Sequence, residues 1–229
     1  MITIFHGTTK LFKEFRPQDT IGTGEGKSKF GWGTYLTSAF ATAVLYGGKG
    51  PGREAADHYV YSVEIPNPVT NESKYFVLHK PVPSQVSSLV EKEIGQIKDR
   101  SALEWGNDFR TELETMLFVR EYGRKPKGKS EVGTAQKLCA DWFYKHGIIG
   151  IAWPQGKWPQ RGLMMPVENL NVAMFHGSDI YITKVERVEV EFKAKSKNTP
   201  DKVTCIEKKN SERITIDIDA LQNIWQEQV

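Results

Sequence analysis

Three short stretches of this chain hold residue types able to do chemistry together. They are Phe5-His6-Gly7-Thr8, then Gly31-Trp32-Gly33-Thr34-Tyr35-Leu36 with Tyr46 eleven residues beyond Tyr35, and late in the chain Val172-Ala173-Met174-Phe175. A histidine followed at once by glycine sets an imidazole beside main chain that a ligand can approach closely. The Gly7 N–H and C=O can then pair with a planar amide. Gly31-x-Gly33 makes a tight turn ahead of Tyr35, and Tyr46 falls on the helix that follows. Two tyrosine rings, one imidazole and an open peptide suit a flat, cationic aromatic ligand. Each residue taken alone is more often structural: a strand histidine satisfied in place, or a tyrosine filling the core.

Strands and helices must position these groups. Ile2–His6 alternates β-branched and aromatic residues and reads as a first strand, and Thr34–Thr37 as a short second. Ser38 is placed to cap a helix through Ala39, Ala41, Ala43, Val44 and Leu45 to Tyr46, closed by Gly47 and Gly48. His58–Ile65 alternates up to Pro66, and Tyr75–Leu78 reads as a further strand. The middle of the chain changes period. Gln85–Lys98, Phe109–Tyr122 and Thr134–His146 repeat as helices, with packing expected at Leu113, Met116, Leu117 and Val119–Tyr122 in the second. In the third it is expected at Leu138, Ala140, Trp142 and Phe143, with Gly147 as the stop. Strands resume at Ile148–Ala152, Val172–Phe175 and Tyr181–Phe192. The polar run Lys193–Lys202 reads as a linker or hairpin loop, followed by a strand Arg213–Ile218 and a helix Asp219–Gln226. The plan is α+β: strands, an inserted helical block at about 83–146, then strands.

Composition bounds the function classes. The chain has 229 residues, 39% of them hydrophobic, and a net charge of +3. That supports one good core and tolerates an anionic ligand without demanding one. Cys139 and Cys205 have neither CxxC spacing nor a histidine cluster beside them, so no metal site or disulfide framework is expected, and a reducing compartment fits. Residues 1–20 lack a signal-peptide pattern, and no run reaches the roughly 20 apolar residues of a membrane helix. The expectation is a cytoplasmic protein with no membrane partner. Gly22–Ser28 is not a phosphate loop, because Ile21 stands where its first glycine belongs. Arg120–Lys129 carries two arginines and three lysines that can meet phosphate or simply be solvated. Trp153 and Trp158, near Arg161, read either as loop packing or as a platform for stacking an acceptor base.

The order of these pieces resembles the ADP-ribosyltransferase superfamily, in the His–Tyr–Glu branch that includes the poly(ADP-ribose) polymerases. It is most similar to the compact domain of phage polyvalent proteins and bacterial toxins. The resemblance rests on FHGTTKLFKEF at 5–15, IGTGEGKSKFGWGTYL at 21–36, AQKLCADWFYKHGIIGIAWP at 135–154 and NLNVAMFHGSDIYI at 169–182. It implies split antiparallel β-sheets around an NAD cleft, a catalytic domain over 1–192, and a C-terminal hairpin-and-helix extension over 193–229. NAD would be the substrate. His6 would bond a ribose hydroxyl, Gly7 the nicotinamide carboxamide with Thr8 beside it, and Tyr35 and Tyr46 would stack on the two faces of the nicotinamide. The family's helix serine falls at Ala43, next to Thr42. The loop 16–30 would cover the cofactor, with Lys27 or Lys29 at the pyrophosphate.

At the third triad position the family's Glu is replaced by Asn171, with Glu168 three residues earlier. Asparagine can bond a ribose hydroxyl, but it takes no proton and lends no negative charge to an oxocarbenium-like state. Glu168, Glu25 or the acceptor itself must then supply any base. Polymer synthesis relies on that Glu, so the resemblance implies transfer of a single ADP-ribose to a protein, RNA or DNA acceptor. The alternatives are an NAD glycohydrolase, and an inactive module that binds NAD or nucleic acid. The resemblance also implies a toxin or phage–host conflict effector, for which a neutralising antitoxin partner is expected.

Overall fold

The computed structural model describes residues 1–17, 29–48, 53–155, 169–196 and 199–221. Among them the strands are β1 (Ile2–Thr8), β2 (Thr34–Thr37), β3 (His58–Ile65), β4 (Tyr75–Val77), β5 (Gly150–Pro154), β6 (Leu170–Met174), β7 (Tyr181–Val188), β8 (Val190–Ser196), β9 (Thr199–Glu207) and β10 (Ile214–Ile216). The helices are α1 (Phe40–Gly47), α2 (Ser84–Glu93), α3 (Gly106–Tyr122) and α4 (Gly128–Lys145). The class is mixed α+β, with α2–α4 inserted between strands as the periodicity predicts. Two units form. One comprises Met1–Arg16, Tyr35–Asn67 and Gly177–Val229, the other Pro17–Thr34 and Pro68–His176.

In the first unit the strands run in the order β10-β7-β3-β1-β2. β3 is interior and pairs antiparallel along its length with β1 and with β7. Its alternation therefore buries side chains on both faces. Val60 enters an apolar cluster with Ala43, Val44, Val188 and Cys205, and Tyr61 packs among aromatic rings on the other face. Register passes these faces to β1, since Gly7 lies opposite Val60 and His6 opposite Tyr61. The β1–β2 ladder is a single pair, Phe5 opposite Thr37.

α1 crosses the Phe5–Gly7 face of β1. A Cβ on Gly7 would fall 1.8 Å from the Ala43 carbonyl oxygen, and one on Gly47 would fall 2.8 Å from both Gly7 C and Thr8 N. The two glycines thus let helix backbone rest on strand backbone. The helix begins one residue later than the sequence predicts. Its N-cap is Ala39, with no side-chain cap bond, and the Ala39 carbonyl accepts from the Thr42 and Ala43 N–H groups.

The run Lys193–Lys202, expected as a linker or hairpin loop, falls where β8 and β9 pair as an antiparallel hairpin, with Phe192 opposite Cys205 and Lys193 opposite Thr204. Phe192 and Cys205 pack with Ala43, and β10 pairs with β7. The expected helix Asp219–Gln226 lies largely outside the described residues.

In the second unit β5 pairs antiparallel with β6 and parallel with β4. Phe76 stacks on Phe143 with centroids 4.7 Å apart, and Phe143 on Phe175 at 6.2 Å. α4 buries Ala135, Cys139, Trp142 and Phe143, a helical stripe. α3 buries Phe109, Leu113 and Phe118, whereas Val119 and Tyr122, expected to pack, are exposed. α2 stops short of Lys98, at Ile94, and Gly95 follows with φ 142°. Two buried charges, Arg110 and Glu114, pair one turn apart on α3. A second Arg110 nitrogen reaches the Asn107 carboxamide at 3.3 Å and the Lys29 carbonyl at 3.5 Å.

We expect Gly47→Ala to destabilise the protein by about 1–3 kcal/mol, because its methyl group meets main chain that cannot yield. Urea unfolding measures this, and an unchanged midpoint would remove the backbone contact as the anchor of α1.

Candidate functional site

The site begins at His6. Its Nδ1 lies 2.9 Å from the Tyr35 carbonyl oxygen. A carbonyl only accepts, so Nδ1 carries the proton. In the neutral ring Nε2 is then an acceptor, with no hydrogen-bond partner among the described residues. Burial lowers the His6 pKa below its ordinary 6.5, and the Tyr35 bond opposes that shift as the smaller effect. At neutral pH the group is therefore an uncharged imidazole offering one lone pair, suited to a hydroxyl donor.

An aromatic cage fixes the ring. Phe15 meets His6 edge-on at 5.2 Å, and Phe12 lies at 6.2 Å. Phe12 stacks on Tyr61 at 4.4 Å with planes 6° apart. The Tyr61 hydroxyl accepts from the Phe12 N–H at 2.7 Å and donates to the Phe12 carbonyl at 3.0 Å. Its burial raises the phenol pKa well beyond the ordinary range, so it stays a neutral donor and acceptor. Phe12, Phe15 and Tyr61 are site residues that the sequence reading gave no role. Their signal was present as an aromatic pair soon after His6-Gly7, but the partner Tyr61 is 49 residues away from Phe12.

Tyr35 and Gly7 reach the other face. Tyr35 is two residues from Thr37, which opposes Phe5, so by strand alternation the Tyr35 side chain shares the α1 side of β1. Tyr46, near the end of α1, is 58% exposed. The ladder with β2 stops at Phe5, so the β2-facing edge of β1 from His6 to Thr8 has no ladder partner among the described residues. The Thr8 hydroxyl accepts from the Lys10 N–H at 3.1 Å. The first unit thus brings His6, Gly7, Thr8, Tyr35 and α1 to one strand end.

Ala43 is a core residue instead. Its side chain, 2% exposed, packs with Val60, Val188 and Cys205, so it presents no ligand-facing slot, while Thr42 beside it is half-buried. Gly7 likewise owes its missing side chain to α1, which fills that space.

The second unit holds the remaining candidates. Asn171 is half-buried and stands second in β6, opposite Trp153. Lys29 is exposed, with its ammonium 5.8 Å from the Phe30 ring centre. Gly31 and Gly33 have φ of 109° and 145°, as the tight turn before Tyr35 requires. Trp153 is 4% exposed, and Phe30 stacks on it at 4.5 Å, so it is core packing and no acceptor platform. Glu168, Lys27, Glu25, Trp158 and Arg161 lie outside the described residues. No group of three or more His, Cys, Asp or Glu side chains is arranged to hold a metal ion among the described residues. Cys139 is buried with its thiol pKa raised by desolvation, and Cys205 is pushed up to about 11 by the same cause. Neither is an activated nucleophile.

The lowered His6 pKa has a signed consequence. Unfolded His6 takes up a proton near pH 6.5, while folded His6 resists it to lower pH. Its contribution to stability is therefore present above pH 6.5 and is lost as pH falls through the folded pKa. Wild type should lose more unfolding free energy than His6→Gln between pH 7 and 5, and the His6 ring proton resonance should titrate below 6.5. A titration at or above that value would contradict the cage. Tyr61→Phe should cost about 1–3 kcal/mol, because both Phe12 backbone groups lose their partner, and should move the His6 titration back towards 6.5. Retention of both stability and the His6 shift would separate the cage from the histidine.

No family model matches the chain, and neither does a curated protein or a solved structure.

Proposed function

We propose that the protein cleaves NAD and transfers a single ADP-ribose to a macromolecular acceptor. The observation that carries the reading is the neutral, Nδ1-protonated His6, held by the Tyr35 carbonyl where the β1–β2 ladder ends. An open strand edge matches a carboxamide, which needs one donor and one acceptor side by side. A neutral imidazole whose Nε2 has no hydrogen-bond partner among the described residues matches a ribose hydroxyl. Tyr35 and the exposed Tyr46 offer rings to a pyridinium, which stacks well on aromatic faces.

In the reaction, the bond between the nicotinamide nitrogen and ribose C1 breaks. Its electron pair stays on nitrogen, so nicotinamide leaves neutral and needs no proton. C1 passes through an oxocarbenium-like state and bonds to the acceptor nucleophile, whose proton goes to a base or to solvent. The work of the site is to hold NAD oriented through these steps. The carboxylates the sequence offers for the missing base are Glu168 and Glu25, and a carboxamide at 171 favours one transfer over chain growth. The expectation of a toxin-like conflict effector with a neutralising partner belongs to this same reading.

The test is incubation with NAD labelled in its adenylate half, together with separate pools of cellular protein, RNA and DNA, scoring label on each and free nicotinamide. Label on one pool is expected. Nicotinamide release without label would make the protein a glycohydrolase, and neither signal in a protein that binds NAD would make it a binding module. Tyr35→Ala and His6→Gln should each lower kcat/KM by about 10- to 100-fold, the scale of one lost aromatic stack or directional bond. Unchanged kinetics in Tyr35→Ala would remove this pocket. Asn171→Ala should slow turnover, and an effect confined to Glu168→Gln would move the third role to that carboxylate.

A further inference from the structure

The turn between α3 and α4 concentrates the charge of the chain. Residues 120–131 hold five cations, Arg120, Arg124, Lys125, Lys127 and Lys129, against two carboxylates, Glu121 and Glu131. That excess of three equals the net +3 of all 229 residues, so the rest of the chain is balanced. Every residue from 119 to 130 is exposed except the half-buried Pro126.

The turn is also built to hold its shape. Gly123 closes α3 and Gly128 opens α4, both left-handed at φ 70° and 71°. Glu131 grips Arg124 through two bonds of 2.7 Å and accepts the Lys127 N–H at 2.6 Å. Those bonds lower the Glu131 pKa to about 2, so its carboxylate is ionised at ordinary pH. The Arg120 guanidinium bonds the Glu93 carbonyl at 2.7 Å, which orients it without neutralising it. Lys125, Lys127 and Lys129 form no ion pair among the described residues. Of the two carboxylates flanking the turn, Glu131 on α4 is committed to Arg124, which leaves Glu121 on α3 against three lysines. A loop that only confers solubility needs no such clamp.

An aromatic ring completes the surface. Tyr122 is 52% exposed and packs on Phe118 with ring centres 4.4 Å apart and planes tilted by 33°. Exposed cations beside an exposed, supported ring are what a single-stranded polynucleotide uses, since its phosphates and base faces are both accessible. A duplex hides its base faces, and an acidic peptide supplies charge without a base to stack.

We propose that the α3–α4 turn is a docking surface for single-stranded nucleic acid, its phosphates on Lys125, Lys127 and Lys129 and one base on Tyr122. The inference stands apart from NAD chemistry and is tested without NAD, so failure of one leaves the other intact.

The experiment is fluorescence anisotropy of the full chain with short labelled oligothymidylate and the matching oligouridylate, across a salt series. The triple variant Lys125→Glu/Lys127→Glu/Lys129→Glu should bind at least about tenfold more weakly, and its log–log salt slope should be shallower by about 2. The corresponding triple alanine variant should move the same way by less. Tyr122→Ala should weaken binding by about 5- to 150-fold with the salt slope unchanged. All these positions are exposed, so thermal unfolding should stay at the wild-type midpoint. Equal affinity of wild type and both lysine variants would overturn the proposal. So would absence of binding by wild type, or binding to phosphatidylserine vesicles with none to oligonucleotide. Tyr122→Ala without effect, alongside equal affinity for duplex, would overturn the single-strand assignment.

Discussion

The first unit depends on one close approach, α1 lying backbone to backbone on β1 at Gly7 and Gly47. Without side chains at those two positions the helix can sink far enough to bury Ala43 and Val44 against Val60 and Val188. Cys205 of β9 and Phe192 of β8 then close the same cluster, so the hairpin late in the chain is held by a helix from its beginning. Burial of this kind, at roughly 25 cal/mol per Å² of apolar surface, is the dominant favourable term holding such a layer together. The Arg213 guanidinium, clamped by Glu207, caps the layer over the Phe40 ring at 3.8 Å.

That arrangement divides β1 between two tasks. Phe5 and Gly7 serve the helix, and His6, pointing the other way, enters the ring cage of Phe12, Phe15 and Tyr61. The cage partly desolvates the ring, which disfavours the charged imidazole, and the Tyr35 carbonyl selects the tautomer. A histidine so held is a fixed hydrogen-bond acceptor and a poor general base, since its conjugate acid is unstable where it sits. This matches a positioning role and leaves any proton transfer in the proposed reaction to another group.

The second unit uses charge in two opposite ways. Arg110 and Glu114 are buried, and desolvation raises the Glu114 pKa even though its arginine partner opposes the shift. Such pairs hold geometry more than they add stability. Here the arginine also reaches the Lys29 carbonyl and lies beside Gly31, at the base of the turn leading to Tyr35. Beyond the far end of the same helix Lys125, Lys127 and Lys129 are exposed and form no ion pair among the described residues. Buried charge thus fixes one end of α3, and exposed charge gathers past the other.

Local order was legible in the sequence wherever neighbours in the chain decide it. The bounds of β2 and β3, the inserted helices, the Gly31-x-Gly33 turn and the stop at Gly147 all follow from period, turn chemistry and glycine. So do the candidate residues His6 and Tyr35 and the charge of Arg120–Lys129, because residue type and spacing are local properties. What the sequence left undecided depends on residues far apart. The burial of Ala43 needs Cys205, the tautomer of His6 needs Tyr35, and the pairing of Lys193–Ser196 needs the strand that follows. Val119 and Tyr122 fit a helical repeat equally well inside or outside, and only the packing of α3 put them in solvent. A repeat specifies which residues share a face, but the free energy that turns a face inward comes from its partner. That partner is chosen by the folded chain as a whole.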